Sequence, residues 1–292
     1  MTAQQGAGAG RSPIGTGQSG GEQPQSSDLG PMGASAGRLE AGQVRAMFDR
    51  VARVYDPMNT AMTAGLHHRW RERAAELARV GPGGRVLDVA TGTGDLALEL
   101  ARRVSPGGEV VGCDFAEGML SRARAKAAAE HGSLVQPRFE WGDALELPYA
   151  DDRFDAATVG FGARNFSDLP RGLEELVRVV RPGGRVVVLE ITTPTRAPLS
   201  LFYKLWFDRI VPALGRLAGS ITRSVRSLHS SPSAASIADA YTYLPNSVKR
   251  FPAPAVLAAE MQRAGLHDVG YLLTAGGIIA IHAGSVPAER SS

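Results

Sequence analysis

Residues 86–100, VLDVATGTGDLALEL, decide the fold of this chain. The apolar run that contains Asp88 is typical of a buried strand, and it stops at the turn Thr-Gly-Thr-Gly. Beyond the turn, leucines recur with the spacing of a helix. The glycines let the backbone approach a ligand closely, and a helix start offers unpaired N–H groups to a carboxylate or phosphate. The stretch therefore predicts a strand, a glycine turn and a helix N-terminus that bind a nucleotide-type ligand.

Asp88 narrows the choice of ligand. The pattern Gly92-x-Gly94-x-x-Ala97 also fits the looser dinucleotide fingerprint, so the glycines alone do not decide it. An acid inside a buried strand is costly unless it accepts hydrogen bonds from loop amides or meets a cationic ligand group. An ammonium or a sulfonium would suit Asp88, whereas a pyrophosphate would not. The alternative, that Asp88 only ties down the turn, stays open.

The composition is that of an ordinary soluble globular protein, with 43% hydrophobic and 21% charged residues in a chain of 292. This length permits one large domain or two small ones. A net charge of +3, with no lysine or arginine run, argues against a nucleic-acid partner. The single cysteine, Cys113, excludes an internal disulfide and fits a reducing compartment. Because Cys113 lies in an apolar run, we expect a buried thiol rather than a nucleophile.

The composition also sets the expected domain limits. Residues 1–40 are rich in Gly, Ala, Ser and Gln and lack both apolar periodicity and the core of a signal peptide, which predicts a disordered extension. No stretch approaches eighteen consecutive apolar residues, so no membrane span is predicted. The folded domain is expected at residues 41–284, followed by a disordered tail at 285–292.

Two helices are predicted ahead of the glycine turn. The first begins near Gly42 and is expected to break at Pro57 and Asn59, and the second runs to about Arg79. Their apolar residues either pack into the core or form a lid over a hydrophobic substrate.

Three Pro-Gly-Gly turns, at 82–84, 106–108 and 182–184, each follow a helical pattern and lead into an apolar strand. Repetition of this unit predicts βαβ connections and a parallel sheet covered on both faces. Near the end, Gly276-Gly277 fits a turn between two antiparallel strands, 267–274 and 276–283. Ligands of such sheets bind at the carboxyl ends of the strands.

Ligand-type residues follow four successive strands at that edge. Asp114 stands about twenty residues beyond the glycine turn, where an acid accepts both hydroxyls of a ribose. Asp143 could accept from an adenine amino group while the Ala144 N–H donates to a ring nitrogen. The fourth strand ends at Gly160, shortly before Arg164. Four such ends at one edge predict a single ligand site.

Together these motifs resemble the class I S-adenosylmethionine-dependent methyltransferases. More closely, the segment YDPMN at 55–59 with His67 and Trp70, the segment GARN at 162–165, and residues 178–184 with Glu190 resemble the quinone C-methyltransferases of menaquinone and ubiquinone biosynthesis. The resemblance covers residues 42–218 and 239–284. It implies an α/β, Rossmann-like fold, with a mostly parallel seven-stranded sheet, a terminal antiparallel hairpin and an N-terminal helical lid.

The resemblance implies S-adenosyl-L-methionine as cofactor and a polyprenyl naphthoquinol as substrate, with C-methylation of demethylmenaquinol to menaquinol as the reaction. The cofactor residues expected from the loop and from the resemblance are Asp88, Gly92, Thr93, Gly94, Asp114, Asp143, Ala144 and Gly160. The family usually has Ser at Gly160, so one hydroxyl is missing here. Residues 220–238 have no counterpart and are expected to be a loop insertion.

The resemblance also implies the catalytic residues, Arg164, Asn165 and Tyr55, around the quinol. Transfer to a ring carbon needs a base, in-line positioning and a water-poor site. Arginine stays protonated, so we expect Arg164 to orient a water or stabilise a phenolate, with Asn165 and Tyr55 as hydrogen-bond partners. His67 is a second candidate base, or a packing residue of its helix.

Three further residues, Tyr241, Tyr243 and Ser247, match a family segment that lies near the substrate. No metal is expected, because the neighbouring His67 and His68 should point about 100° apart on a helix and so cannot share one ion.

An isoprenoid tail would have to come from a membrane. An apolar stripe at residues 199–217 is either a core helix or a face that lines the tail channel or rests on the bilayer. We therefore expect a cytoplasmic protein with peripheral membrane contact. The oligomeric state is open, with a homodimer as one option.

Three other functions are weighed against this one. The same chemistry could act on a benzoquinol of the ubiquinone pathway or on another small acceptor. A nicotinamide-dependent oxidoreductase is disfavoured by Asp88 and by the segment 142–144. A non-catalytic binding protein with the same fold is disfavoured by the presence of Arg164 and Asn165 beside the donor motifs.

Overall fold

A computed structural model describes residues 41–130, 135–194, 197 and 243–289. The predictions for residues 1–40, 199–217, 220–238 and Tyr241 lie outside these ranges. Among the described residues, no helix is both long enough and apolar enough to cross a membrane.

Most of the described strands follow a helix, as the repeated turns predict. The helices are α1 (Ala41–Thr63), α2 (Leu66–Leu77), α3 (Asp95–Val104), α4 (Glu117–Ala129), α5 (Leu169–Val179), α6 (243–250) and α7 (Pro254–Arg263). The strands are β1 (Arg85–Val89), β2 (Glu109–Asp114), β3 (Arg138–Trp141), β4 (Phe154–Gly160), β5 (Val180–Ile191), β6 (His267–Thr274) and β7 (Ile279–Ser285).

These strands form one seven-stranded sheet in the order β3-β2-β1-β4-β5-β7-β6. Strands β1 to β5 are parallel, and β7 runs antiparallel to both β5 and β6. The hairpin turn is the short 3-10 segment Ala275–Gly277, where Gly276 and Gly277 both take positive φ. The predicted mostly parallel sheet with a terminal antiparallel hairpin is confirmed. The chain order reverses between β1 and β4, and such a switch point opens a crevice at the carboxyl ends of the strands.

Hydrophobic clusters cover both faces of the sheet, as a parallel sheet requires. One cluster holds Leu100, Leu120 and Val187, and the other holds Phe154 and Leu173. Cys113 is buried in the second cluster, as predicted, and burial raises the pKa of its thiol to about 12. A thiol with that pKa stays protonated and is not a nucleophile at neutral pH.

The predicted break at Pro57 is wrong, because α1 continues through Pro57 to Thr63. A proline costs a helix one hydrogen bond, but packing of the helix can outweigh that local preference. Met47 and Val51 of α1 are buried, and Asp49 accepts a hydrogen bond at 2.8 Å from the Gly118 N–H at the start of α4. This packing holds α1 against the domain along its length.

The predicted end of the folded domain at Gly284 is too early. Ser285 closes β7, and Val286 is buried with its N–H 2.9 Å from the Gly184 carbonyl. The backbone of Val286 also accepts from Gly183 at 3.0 Å. The last strand therefore extends the sheet pairing into the segment expected to be disordered.

Candidate active site

Two adjoining cavities lie at the carboxyl ends of the strands. The first, called here the loop cleft, follows β1 to β4 and includes Asp88, Gly92, Thr93, Asp114, Asp143, Ala144 and Gly160 in its lining. The second, the apolar cavity, is walled mainly by α1, α2 and the β6–β7 turn, with Met58, Met62, Leu66, Trp70 and Ile278 in its lining. The two share Phe48, Tyr55, Arg71 and Phe161. All the predicted cofactor residues except Gly94 thus meet in one cleft.

Asp88 is fully buried and holds the start of the loop. Its two carboxylate oxygens accept hydrogen bonds from the hydroxyls of Thr91 and Thr158, each at 2.6 Å. Burial raises the pKa of Asp88 to about 6. Asp88 therefore has a structural contact, through two hydroxyls rather than loop amides, and its residue also lines the loop cleft. Thr158 lies opposite Asp88 in the pairing of β1 with β4. A hydroxyl residue inside an otherwise apolar strand is the feature of the sequence that indicates this partner.

Asp114 presents a carboxylate to the loop cleft from the end of β2. One oxygen accepts from the Gly92 N–H at 2.8 Å and the other from the Ala116 N–H at 2.9 Å. Burial raises the pKa of this carboxyl to about 6. A carboxylate oxygen has two lone pairs, so each keeps one for a ligand hydroxyl. The side chain can therefore accept from two neighbouring hydroxyls, as expected for a ribose.

Gly94 does not line the loop cleft. Its φ is +85°, and an added Cβ would lie 2.8 Å from the Phe139 ring, so this glycine makes room for core packing. At Gly92, where φ is +57°, an added Cβ would meet no atom within 4 Å. The two glycines of the turn thus serve different purposes, one packing against the core and one leaving open space in the cleft.

Replacing Gly94 by alanine is expected to lower the free energy of unfolding by about 2–4 kcal/mol, from the clash and the unfavourable φ together. Gly92→Ala is the matched control, because it carries only the cost of positive φ, about 1–2 kcal/mol. Urea denaturation of the two variants measures the difference. Equal losses of stability would contradict the separate roles assigned to the two glycines.

A polar cluster, the lid latch, joins α1 to the glycine loop and consists of Asp56, Thr93, Asp95 and Lys126. Thr93 donates its hydroxyl to Asp56 at 2.5 Å, and Lys126 lies 2.8 Å from Asp56 and 2.5 Å from Asp95. The hydroxyl hydrogen of Thr93 is therefore donated to α1 and not to a ligand. The latch brings α1 over the loop cleft.

Weakening the latch by Asp56→Asn, which removes the ion pair with Lys126, is expected to weaken binding of the cleft's ligand by about 5- to 10-fold, because α1 loses a partly buried charged contact. Isothermal titration with that ligand measures the change. Asp49→Asn is the control, since Asp49 bonds to α4 and leaves the latch intact. Unchanged affinity in Asp56→Asn would mean that the latch does not hold the lid over the ligand.

Arg164 is buried at the edge of the apolar cavity. Its guanidinium donates to Glu190 at 2.9 Å and to the Phe161 carbonyl at 2.5 Å, and its backbone N–H donates to Glu190 at 3.2 Å. The Nε–H of Arg164 is buried and has no hydrogen-bond partner among the described residues. The role of Glu190 as the anchor of Arg164 is not among the predictions from the sequence. An acid at the end of the run Val-Val-Val-Leu was the available signal.

The other predicted catalytic residues gather at the boundary of the two cavities. Tyr55 lines both cavities, and the Tyr243 hydroxyl donates to the Asn165 side chain at 3.0 Å. Burial raises the pKa of Tyr243. Ser247 is not part of this group, because it is buried and donates its hydroxyl to the Leu244 carbonyl within α6 at 2.8 Å. The place of Ser247 near the substrate therefore stays a prediction.

His67 lines the apolar cavity, but the lone pair on its Nδ1 atom already accepts a hydrogen bond. The guanidinium of Arg71 bonds to Nδ1 of His67, and a guanidinium can only donate. This assigns the ring proton to Nε2, which lies 3.2 Å from the Thr60 hydroxyl. Burial, reinforced by the positive charge of Arg71, lowers the pKa of His67 to about 4. His67 is therefore better placed to orient Arg71 than to accept a proton.

The rings of His67 and His68 lie closer than helical geometry led us to expect, with their centroids 3.9 Å apart. Ligand atoms of the two histidines and of Asp95 lie within 4.8 Å of one another. The guanidinium of Arg71, however, contacts His67 and lies 3.5 Å from Asp95. The two histidine rings do not diverge as predicted, and the positive charge beside them is the guanidinium of Arg71.

Arg71 is the main residue of the site that sequence reasoning missed. It falls on the buried face of α2 with His67, Ala74 and Ala75, at the spacing i, i+4, i+7 and i+8. A single charge on an otherwise buried helical face was the signal.

Comparison with known proteins decides the family. The protein-family model with the description "ubiE/COQ5 methyltransferase family" matches residues 37–286 of this chain. The chain belongs to this family. It is 46% identical to the demethylmenaquinone methyltransferase of Thermus thermophilus, covering 82% of this chain and all of that one. It is also 39% identical to the demethylmenaquinone methyltransferase of Mycobacterium marinum, covering 84% and 94% of the two chains.

Solved structures agree at the level of the fold. A SAM-dependent methyltransferase from Thermotoga maritima matches with a TM-score of 0.50 and 19% identity, covering 82% of this chain and 98% of that one. The [4+2]-cyclase SpnF matches with a TM-score of 0.54 and 21% identity, covering 85% and 97%. Because a cyclase shares it, this fold alone does not set the reaction.

Membership in the ubiE/COQ5 family makes the protein a methyltransferase that uses S-adenosyl-L-methionine, and the loop cleft fits that molecule. Asp114 retains two acceptor sites for the ribose hydroxyls, and the space at Gly92 is open. The family is expected to have Ser at the position of Gly160. A Cβ added at Gly160 would lie 3.1 Å from the side chain of Leu96. At this position a side chain would need Leu96 to shift.

Proposed function

We propose that the protein transfers a methyl group from S-adenosylmethionine to a ring carbon of demethylmenaquinol, giving menaquinol. The observation that carries this proposal is a buried arginine side chain, that of Arg164, which is held by Glu190 and lines an apolar cavity. That cavity adjoins the loop cleft. The names of the Thermus and Mycobacterium relatives support the same substrate.

The arrangement of the two cavities suits direct transfer. S-adenosylmethionine supplies an electrophilic methyl group on a sulfonium when bound. Residues common to both cavities, Tyr55 and Phe161 among them, surround the junction through which a methyl group would pass. The apolar lining excludes water there, which protects the sulfonium from hydrolysis and strengthens the local electrostatic interactions.

Arg164 would stabilise the activated acceptor. A hydroquinol ring becomes a strong carbon nucleophile once a hydroxyl proton is lost, and the negative charge then resides partly on oxygen. The guanidinium of Arg164, which lines the apolar cavity, can donate to that oxygen, and Glu190 holds the guanidinium so that no reorganisation is needed. Since the lone pair of His67 is bonded to Arg71, we assign the proton to a water next to Arg164, with Asn165 and Tyr55 as further hydrogen-bond partners.

The apolar cavity also suits a prenylated ring. Its volume is about 430 Å³, and most of the residues in its lining are apolar, three methionines among them. Unbranched methionines adapt to irregular apolar ligands. A prenyl tail taken from a membrane would imply a cytoplasmic protein with peripheral membrane contact, and we include that contact in the proposal.

Product analysis tests the proposal. Purified protein is incubated with methyl-labelled S-adenosylmethionine and either reduced demethylmenaquinone or a reduced benzoquinone precursor, and products are identified by mass spectrometry. We expect labelled menaquinone, and none when the quinone is supplied oxidised. The benzoquinol is included because a Geobacter sulfurreducens relative, 38% identical, is named for both pathways. Label in the benzoquinol alone would overturn the choice of acceptor, and donor binding without any transfer would favour a non-catalytic role.

A further inference from the structure

The charges that line the loop cleft are unevenly divided. Four carboxylates line it, those of Asp88, Asp95, Asp114 and Asp143. Within the described part of the chain, Arg71 is the single cationic side chain in that lining. A ligand that carries both signs of charge will therefore place its anionic group at Arg71.

S-adenosylmethionine is such a ligand. It carries a sulfonium, an ammonium and one carboxylate. The acids of the cleft suit the two cations, but the carboxylate needs a donor and a positive charge. Among the lining residues of the cleft, the guanidinium of Arg71 supplies both.

The surroundings of Arg71 hold it in place while leaving donors available. Its guanidinium carbon lies 5.4 Å from the centre of the Phe161 ring, and one terminal nitrogen bonds to His67. The other terminal nitrogen lies 3.5 Å from Asp95, which is longer than an ordinary hydrogen bond. A planar guanidinium with free N–H groups can grip a carboxylate in a bidentate manner.

The position of Arg71 favours the donor over the acceptor. Asp95 is the first residue of α3 and directly follows the glycine turn, so its neighbour Arg71 stands beside the loop. The unpaired N–H groups at the start of α3 favour an anion at the same place. Arg71 also borders the apolar cavity, where the sulfonium must deliver its methyl group, and the carboxylate is only a short chain away from the sulfur.

We propose that Arg71 binds the carboxylate of S-adenosylmethionine. This role depends on the methyl donor of the family and not on the identity of the quinol.

The test compares S-adenosylmethionine with decarboxylated S-adenosylmethionine, which keeps the sulfonium and the ammonium. Isothermal titration is run on the full-length protein and on its Arg71→Met and Arg71→Lys variants. The wild type is expected to bind the carboxylated compound about 10- to 100-fold more tightly. Arg71→Met should lose that preference while binding the decarboxylated compound at least as well as the wild type does.

The same titrations contain their own controls. Retained binding of the decarboxylated compound shows that Arg71→Met is folded, and Arg71→Lys should keep a preference for the carboxylate through its charge. The proposal is overturned if Arg71→Met still prefers the carboxylated compound. If Arg71→Met binds neither compound, equal affinities in Arg71→Lys overturn it. Because no quinol is present, failure here is distinct from failure of the proposed acceptor.

Discussion

Arg164→Met is expected to lower kcat about 10²- to 10³-fold and to leave the affinity for S-adenosylmethionine within about twofold. The guanidinium lies at the apolar cavity, whereas the carboxylates that receive the donor lie in the loop cleft. Loss of Arg164 therefore removes stabilisation of the quinol oxygen without touching the donor. Single-turnover transfer and donor titration measure the two quantities separately.

The variant also leaves Glu190 buried without its cationic partner, which is expected to cost about 3–5 kcal/mol of stability. Arg164→Met combined with Glu190→Met should recover most of that stability and remain inactive. Arg102→Met, an exposed arginine on α3, is the neutral control. Recovery of activity together with stability in the double variant would sink the catalytic role of Arg164.

Asp114→Ala is expected to weaken binding of S-adenosylmethionine about 10²- to 10³-fold. Two charge-assisted hydrogen bonds to the ribose would be lost, and each is worth about 1.5–3 kcal/mol. Hydration of the freed ribose hydroxyls offsets part of this loss. The variant also frees the N–H groups of Gly92 and Ala116, so the loop loses its anchor as well. The exposed acid Asp151, replaced by Asn, serves as the control.

The same carboxyl predicts a pH dependence of donor binding. Burial raises the pKa of Asp114 in the free protein to about 6, so the side chain is largely protonated below that pH. Binding needs the carboxylate, and the affinity of the wild type should therefore fall about tenfold per unit as pH drops below 6. Asp114→Asn should make the affinity depend much less on pH. The pH dependence that remains comes from Asp88, whose pKa is also raised to about 6. A wild-type profile that is flat between pH 5 and 7 would contradict the assignment.

The sheet and the loop cleft were predictable because their signals are local and repeated. Two of the three Pro-Gly-Gly turns precede a strand, and the third lies in the irregular first part of β5, just before its apolar run. Parallel strands bring their carboxyl ends to one edge whatever the lengths of the helices between them. That geometry places Asp114, Asp143 and Gly160 together before any contact is known. It leaves open which neighbour each side chain touches.

The residues that hold the site were less predictable, because their partners are distant in the chain. Asp88 meets Thr158 across 70 residues, and Thr93 meets Asp56 across 37. Such pairs depend on strand register and on how α1 lies over the loop. Pro57 and Gly94 illustrate the same limit. The packing of α1 outweighs the tendency of Pro57 to break the helix. The Phe139 ring, rather than a ligand, explains why residue 94 is a glycine.

Helix α1 provides Phe48 and Tyr55 to both cavities at once. Because α1 lines both cavities, a movement of α1 that opens one cavity also opens the other. Departure of S-adenosylhomocysteine and departure of the methylated quinol would then share a single opening event, whose frequency sets an upper limit on turnover. Such coupling would show as one common release rate for both products, sensitive to solvent viscosity.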